Sequence, residues 1–167
     1  MKKAKCPPEF ALCGTLTVES GLGPGLYGGG TPGIHGLWPE TGNYGNSKCM
    51  APKDKTFDVN SSNVNLLCDS INETDNQGNF SFAKHEWTKH GMCSGGPGPA
   101  SHYFNTMCNI GSPIVNLIKE KSSFEDMQSS IENSDYQKYL FNIDHTNKQF
   151  EFGVCSTGDG VWQYCTI

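Results

Sequence analysis

Two histidines, a glutamate and a lysine lie within one stretch of six residues in the middle of the chain. A helix turns by about 100° per residue, so His90 would lie about 140° around the helix axis from His85. Glu86 and Lys89 fall between them on the same arc, and the apolar Trp87 falls on the far side. The sequence therefore predicts a helix with one chemically active face and one anchored in the core.

This set of side chains suits cleavage at a phosphodiester. A neutral imidazole can accept a proton from an attacking hydroxyl while a protonated imidazole donates one to the leaving oxygen. Cations and further donors stabilise the charge that develops on phosphorus. The scheme needs a histidine from another segment, and His35 is the candidate.

Other interpretations fit the same residues. Glu86 and Lys89 are three apart, which is also the spacing of an ion pair on an ordinary solvated helix face. A zinc site of the HExxH kind needs histidines four residues apart, whereas His85 and His90 are five apart. A lone histidine such as His35 is often structural. The residues alone leave these alternatives open.

Two elements must position the candidate residues. The spacing predicts a helix over 80–90, with Gly91 just past its end in the left-handed conformation that glycine accepts. Ile34 to Trp38 is predicted to form a short strand that ends at Pro39, because proline cannot continue the hydrogen-bond ladder. The Gly/Pro-rich segments around them are predicted loops.

Further helices are predicted downstream. Ser112 followed by Pro113 has the pattern of an N-cap with a proline in the first turn. Ser123 with Asp126 predicts another N-terminus, for a helix that runs towards Ile131. Both segments have the apolar spacing of packing helices.

The C-terminal segment is predicted to be a β-hairpin. Apolar and polar or small residues alternate over 150–154, and a Gly/Asp turn leads into 161–167. Centring the turn on Gly160 places Cys155 across from Cys165, at a separation that a disulfide bridges.

The composition indicates an extracellular type of protein. The 167 residues are predicted to form one domain, 1–167, with few charged side chains and an even number of cysteines, eight, which suggests four disulfides. Disulfides persist in oxidising compartments. Asn-x-Ser/Thr sequons at Asn60, Asn72 and Asn79 are candidate glycosylation sites. We expect a secreted or lysosomal/vacuolar protein.

The charge and hydropathy exclude several classes of protein. A formal charge of −5 argues against binding nucleic acid through a large basic face, so any attraction to RNA must be local and stronger at acidic pH. The chain has no apolar run of membrane-spanning length, and its basic start lacks the apolar run of a signal peptide. We expect no membrane association and an absent leader, with Met1 as an added start.

Two motifs, HGLWPE at 35–40 and FAKHEWTKHGMC at 82–93, resemble the active-site signatures of the ribonuclease T2 family. The resemblance covers about residues 34–167. It implies an α+β fold, with a central antiparallel β-sheet packed against several helices in a disulfide-stabilised single domain. It also implies metal-free cleavage of single-stranded RNA through a 2′,3′-cyclic phosphate to 3′-phosphate ends, with low base specificity, no cofactor, no action on DNA and a monomeric enzyme.

The resemblance also assigns roles to the candidate residues. His90 resembles the general base and His35 the general acid, with the two exchanging roles when the cyclic phosphate is hydrolysed. His85 resembles a phosphate ligand, and Glu86 and Lys89 resemble transition-state stabilisers. The alternative is a catalytically silent member of the family that binds nucleotides or serves storage or defence.

Base binding is implied for four residues. Trp38 and Glu40 match positions of the first base site, Tyr44 lies near it, and Phe82 matches an aromatic residue of the second. Aromatic side chains suit this role because they stack on any base. Glu40 stands where Asp is commoner in the family, and Met92 stands where Thr is usual.

The resemblance further implies disulfides Cys49–Cys93 and Cys13–Cys68, which leaves Cys6 with Cys108. Family members usually have a strand well before the first motif, and no clear counterpart precedes His35. Either that strand is lost or the loop 14–33 replaces it. His102 and His145 match no catalytic position and are interpreted as surface or structural histidines.

Overall fold

The computed structural model describes residues 2–167, so Met1, the expected added start, lies outside the described residues. Within this part of the chain the strands are β1 (Leu12–Glu19), β2 (Gly33–Pro39), β3 (Leu140–Asp144), β4 (Gln149–Ser156) and β5 (Trp162–Tyr164). The α-helices are α1 (Ser81–Lys89), α2 (Ala100–Ile118) and α3 (Phe124–Glu132). None of the helices described for 2–167 is long and apolar enough to cross a membrane.

The strands form one antiparallel sheet in the order β2-β1-β4-β3, with β5 pairing beside β3 on the same edge of β4. Buried side chains of β1 and β4, such as Leu16 and Phe152, pack with Phe104 and Met107 of α2 in the main apolar cluster. Full burial of one such side chain contributes about 1.5–3 kcal/mol. The predicted α+β fold with a central antiparallel sheet is confirmed.

The prediction that no strand precedes His35 was wrong. β1 is a central strand, and every residue from Leu12 to Val18 is buried. In the sequence, Gly14 interrupts the alternation of apolar and polar residues over 12–19, so it resembles the start of a loop. A Cβ at Gly14 would overlap the backbone of Trp38, so this glycine marks the close approach of β2 rather than the end of a strand.

The helix predicted to begin at Ser112 was also wrong, because Ser112 and Pro113 lie inside the continuous helix α2. Proline in a helix removes the hydrogen bond to the carbonyl four residues earlier, here that of Asn109. Asn109 is exposed, so water can satisfy that carbonyl. The Ser112 hydroxyl donates to the Cys108 carbonyl at 2.6 Å, within the same turn.

The N-cap of α3 and the C-terminal hairpin agree with prediction. The Ser123 hydroxyl accepts a hydrogen bond from the Asp126 backbone nitrogen at 3.1 Å. In the hairpin, however, Cys155 lies opposite Gln163 rather than Cys165, because the turn is centred one residue earlier than expected. The disulfide between Cys155 and Cys165 still forms, with its Cα atoms 5.8 Å apart.

Within residues 2–167 the disulfides are Cys6–Cys13, Cys49–Cys93, Cys68–Cys108 and Cys155–Cys165. The predicted pairs Cys13–Cys68 and Cys6–Cys108 were therefore wrong. Cys13 points to the outer face of the sheet, where it packs with Cys6 in a second apolar cluster. Cys68 and Cys108 pack in the main core on the opposite face. The sheet lies between the two predicted partners, so they cannot meet.

Candidate active site

A β-bulge in β2 presents His35. Thr17 of β1 pairs with Gly36 and Val18 pairs with Ile34, which leaves His35 as the extra residue of β2. A bulge of this kind re-aims a side chain and is common beside active sites. Here it allows Ile34 to enter the core while the half-buried His35 borders a cleft.

Helix α1 carries the second group of candidate residues. It spans Ser81–Lys89, close to the predicted range. Trp87 is buried as expected, its indole N–H donates to the Lys55 carbonyl at 3.2 Å, and its ring packs against Tyr103. The buried Trp87 fixes the rotation of the helix, so the opposite arc faces the cleft.

Gly91 ends α1 for a different reason from the one predicted. It begins a short 3-10 turn, Gly91–Cys93, and is not among the described glycines with positive φ. A Cβ at this position would overlap the ring of Trp87. The site needs glycine because the indole packs directly against its backbone.

Glu86 lies at the centre of the site and is only 2% exposed. Its Oε2 accepts a hydrogen bond from Trp38 Nε1 at 2.9 Å and lies 3.9 Å from His90 Nε2. Its Oε1 lies 3.5 Å from His35 Nε2. Burial raises the pKa of Glu86, but its hydrogen bonds and the two histidines outweigh burial and lower it below the usual value. Glu86 is therefore a buried anion that links both histidines.

The Nδ1 atom of His35 faces two acceptors from neighbouring strands. Gln149 Oε1 lies at 2.7 Å and Glu19 Oε1 at 3.1 Å. Burial lowers the pKa of His35, but the bonds to Glu19, Glu86 and Gln149 outweigh it and raise the pKa to about 10. His35 is thus cationic at neutral pH. Sequence reasoning missed Glu19 and Gln149, because only strand pairing brings them to His35.

His90 has the opposite protonation state. Its ring stacks on that of Trp38, with the ring centroids 5.1 Å apart. Burial and nearby positive charges lower the pKa of His90 to about 4, against the attraction of Glu86. Between about pH 4 and pH 10 the site therefore holds one neutral and one charged imidazole. This is the combination that general acid–base catalysis requires.

These groups border a cleft of about 450 Å³. His85 and Lys89 are exposed along it and can meet an anionic ligand. All five predicted catalytic residues line this one cleft: His35, His85, Glu86, Lys89 and His90. The structure thus brings together residues from β2 and α1.

Of the predicted base-binding residues, Trp38, Glu40 and Tyr44 also line the cleft. The Thr15 hydroxyl donates to Glu40 Oε1 at 3.1 Å. Burial, assisted by the charge of Glu151, raises the pKa of Glu40 to about 7, although the Thr15 bond opposes this. Glu40 can therefore act as a hydrogen-bond donor or acceptor near neutral pH.

Phe82 is placed differently. It is half-buried on α1, its ring centroid lies 5.7 Å from that of His35, and it packs against the main core. It is not among the described residues that line the 450 Å³ cleft. The Phe82 ring therefore packs beside the His35 ring.

The remaining polar candidates lie elsewhere. His102 packs near Gly160, and His145 contacts the ring of Phe124 edge-on. Across residues 2–167 no group of three or more histidine, cysteine or acidic side chains could hold a metal ion. Asn60 and Asn79 are exposed and Asn72 is half-buried, and glycosylation of these sequons stays a prediction.

Gly36 provides a sensitive test of the site geometry. A Cβ at this position would overlap Trp38 Nε1 and lie about as close to Glu86 Oε2, so Gly36→Ala must push the indole away from the carboxylate. Misplacement by about 1 Å can cost about 100-fold in rate, and we expect a loss of turnover of that order with a cost in stability of about 1–3 kcal/mol. Steady-state kinetics and thermal unfolding measure both quantities.

Gly29→Ala is the matched control for that variant. Gly29 is exposed, and a Cβ there would meet no atom within 4 Å. Turnover and melting temperature should match those of the parent protein. An active Gly36→Ala protein with parental kinetics would contradict the geometry described for Trp38 and Glu86.

Comparison with known proteins identifies related sequences. The Ribonuclease T2 family matches residues 30–151. The curated protein "Ribonuclease MC" of Momordica charantia is 38% identical over 93 residues. That match covers 53% of this chain and 44% of the relative, so the shared stretch is less than half of the relative's length.

A solved structure shares the fold. The crystal structure of a tyrosine-to-alanine mutant of RNase MC1, in complex with 5′-UMP, superposes with a TM-score of 0.53 at 20% sequence identity. The superposition covers 96% of this chain and 95% of the other. The similarity in fold therefore extends over nearly the full length of both chains.

Proposed function

Because the chain belongs to the ribonuclease T2 family, we propose that it is an endoribonuclease that cleaves single-stranded RNA without a metal ion. The observation that carries the proposal is the pair His35 and His90, one charged and one neutral, on either side of the buried Glu86. An acid and a base held in opposite protonation states suit transfer of a phosphoryl group between oxygens.

In the first step, neutral His90 accepts the proton of a ribose 2′-hydroxyl. The 2′-oxygen attacks the adjacent phosphorus and the bond from phosphorus to the 5′-oxygen breaks. His35 gives its Nε2 proton to that leaving oxygen, because its Nδ1 faces Glu19 and Gln149. The products are a 2′,3′-cyclic phosphate and a free 5′-hydroxyl. DNA lacks the attacking hydroxyl and is spared.

In the second step, the roles reverse. His35, now neutral, accepts a proton from water, whose oxygen attacks the cyclic phosphate. His90, protonated in the first step, returns its proton to the 2′-oxygen as that bond to phosphorus breaks. The product is a 3′-phosphate, and both histidines regain their starting states.

The other residues stabilise the reacting phosphate and the bases. The exposed His85 and Lys89 contact phosphate oxygens from the rim of the cleft. Glu86 stabilises the transition state by holding both histidines in place. We assign Trp38 and Tyr44 to the first base, because stacking on an aromatic ring contributes about 1–3 kcal/mol per base without sequence preference.

Two further assignments complete the proposal. Glu40 forms hydrogen bonds to the first base, and Phe82 contacts the base on the other side of the scissile phosphate. The protein acts as a monomer, and the four disulfides described within 2–167 suit a secreted or vacuolar location.

A mixed-sequence oligoribonucleotide, incubated in EDTA, tests the function. We expect fragments that end in 2′,3′-cyclic phosphate and later in 3′-phosphate, identified by mass spectrometry. Replacing one ribose by 2′-deoxyribose should abolish cleavage after that residue alone. Folded protein that binds a mononucleotide but releases no cyclic phosphate would instead indicate a catalytically silent binding protein, and activity lost in EDTA would indicate a metal-dependent enzyme.

A further inference from the structure

A carboxylate outside the two sequence motifs contacts His35. Glu19 is the last residue of β1, its side chain is 25% exposed, and its Oε1 lies 3.1 Å from His35 Nδ1. Gln149, opposite Glu19 in the β1–β4 pairing, places its Oε1 2.7 Å from the same nitrogen. The central strands β1 and β4 therefore each place an acceptor oxygen beside the same nitrogen of the imidazole.

Acceptor oxygens face both nitrogens of His35. On the far side of the ring, Nε2 faces Glu86 Oε1 at 3.5 Å. A neutral imidazole has one donor nitrogen and one acceptor nitrogen, whereas the charged form has two donors. With acceptors at both nitrogens, only the charged form satisfies its surroundings.

We propose that Glu19 is a positioning residue which, together with Gln149, holds His35 in its doubly protonated form and sets the upper pH limit of cleavage. The proposal rests on the ribonuclease function proposed above. It goes beyond that function because Glu19 reaches the reaction only through His35.

Glu19 also fixes which nitrogen takes part. After His35 has given its Nε2 proton to the leaving oxygen, the remaining proton stays on Nδ1, towards Glu19 and Gln149. The Nε2 lone pair is then free to accept a proton from water in the hydrolysis step. One contact therefore serves both steps, first by keeping the acid charged and then by fixing the tautomer of the base.

The charges around His35 distinguish Glu19 from Glu86. From α1, Glu86 lies near both histidines, 3.5 Å from His35 Nε2 and 3.9 Å from His90 Nε2. From β4 the contact is the uncharged Gln149, and from the loop before β2 it is the ring of Tyr27, at 5.8 Å. Glu19, on β1, contributes to the pKa of His35 but is not among the groups that shift His90.

This asymmetry sets the expected result for Glu19→Gln. An opposite charge within about 4–6 Å shifts a pKa by about 1–3 units, so the alkaline limb of kcat against pH should move down by about that amount. The acidic limb, which depends on His90, should stay in place. Glu19→Asp keeps the charge and should recover part of the shift. A purely structural role for Glu19 would lower activity at all pH values and move neither limb.

Glu73→Gln is the matched control. Glu73 lines the same surface groove as Glu19 but has no contact with His35. Glu73→Gln changes the net charge by the same amount as Glu19→Gln. The pH profile of cleavage by Glu73→Gln should nevertheless match that of the parent protein. An alkaline limb that moves equally in Glu19→Gln and Glu73→Gln would overturn the proposal, because the cause would then be net charge.

Nitrogen NMR of the histidine rings separates this proposal from the ribonuclease function. In the parent protein His35 should carry protons on both nitrogens at pH 8, and in Glu19→Gln it should titrate at lower pH. This result does not depend on RNA cleavage, so an inactive parent protein would refute the function alone. A neutral His35 at pH 8 in the parent protein would overturn the role of Glu19, even if the variant fails to fold.

Discussion

Replacing His35 by alanine is expected to lower kcat for RNA cleavage by about 100- to 10,000-fold, the usual contribution of a general acid or base. The leaving 5′-oxygen then departs without a proton donor. His90→Ala should cause a loss of similar size, because the 2′-hydroxyl then has no base. Single-turnover cleavage of a short oligoribonucleotide measures both effects. The double variant should lose little more than either single variant, since the two residues act in one step.

The pH dependence of cleavage tests the protonation states of the two histidines. The parent protein should show a broad plateau, limited near pH 4 by protonation of His90 and near pH 10 by deprotonation of His35. His145→Ala is the control, because His145 is an exposed histidine that packs on Phe124 away from the cleft. Parental rates in both His35→Ala and His90→Ala would refute the assignment of acid and base.

Glu86→Ala is expected to destabilise the fold by about 3–5 kcal/mol, the cost of removing one partner of a buried ion pair. The side chains of Glu86 and His35 are 2% and 13% exposed, so water cannot replace the lost carboxylate without opening the site. The hydrogen bond from the Trp38 indole is lost as well. Thermal or urea unfolding measures the loss.

The pH dependence of that loss follows from the direction of the pKa shifts. The raised pKa of His35 stabilises the fold fully below its ordinary value of 6.5, and this stabilisation disappears as the pH rises to about 10. The lowered pKa of Glu86 stabilises the fold above its ordinary value of 4.5, and this stabilisation disappears as the pH falls. The difference between parent and variant should therefore be largest between pH 4.5 and pH 6.5.

Two variants serve as comparisons for Glu86→Ala. Glu86→Gln keeps the shape of the side chain and an acceptor for the Trp38 indole, so it should lose mainly the pH-dependent part of the stability. Glu120→Ala removes an exposed carboxylate and should leave the free energy of unfolding within about 0.5 kcal/mol of the parent value. Equal stability of Glu86→Ala and Glu120→Ala at pH 6 would contradict the buried ion pair.

The sequence predicted the elements that have clear local signals. Helix α1 follows from its periodicity, the cap of α3 from Ser123 and Asp126, and the C-terminal hairpin from alternation and a glycine turn. Local signals failed where tertiary contacts override them. Gly14 and Pro113 are breakers in isolation, yet each is accommodated inside a regular element by its surroundings.

The site was predictable only in part, for a related reason. The motifs around His35 and α1 identify five residues that line one cleft. Gln149 lies 114 residues from His35 and reaches it through the pairing of β4 with β1. Neither Gln149 nor Glu19 belongs to a motif, so their position beside His35 emerges only when the sheet is assembled. The pairing of Cys6 with Cys13 likewise depends on which face of the sheet each cysteine occupies.

The bulge in β2 makes the position of the His35 side chain independent of the length of the preceding loop. The extra residue of the bulge lies inside the β1–β2 pairing, and the pairs on both sides of it fix the position of His35. That position therefore does not depend on the number of residues in the loop 20–32. That loop carries Tyr27 to the edge of the cleft and is otherwise largely exposed. A designer can therefore lengthen, shorten or replace this loop to change which substrates enter the cleft, while His35 keeps its polar contacts with Glu19, Glu86 and Gln149.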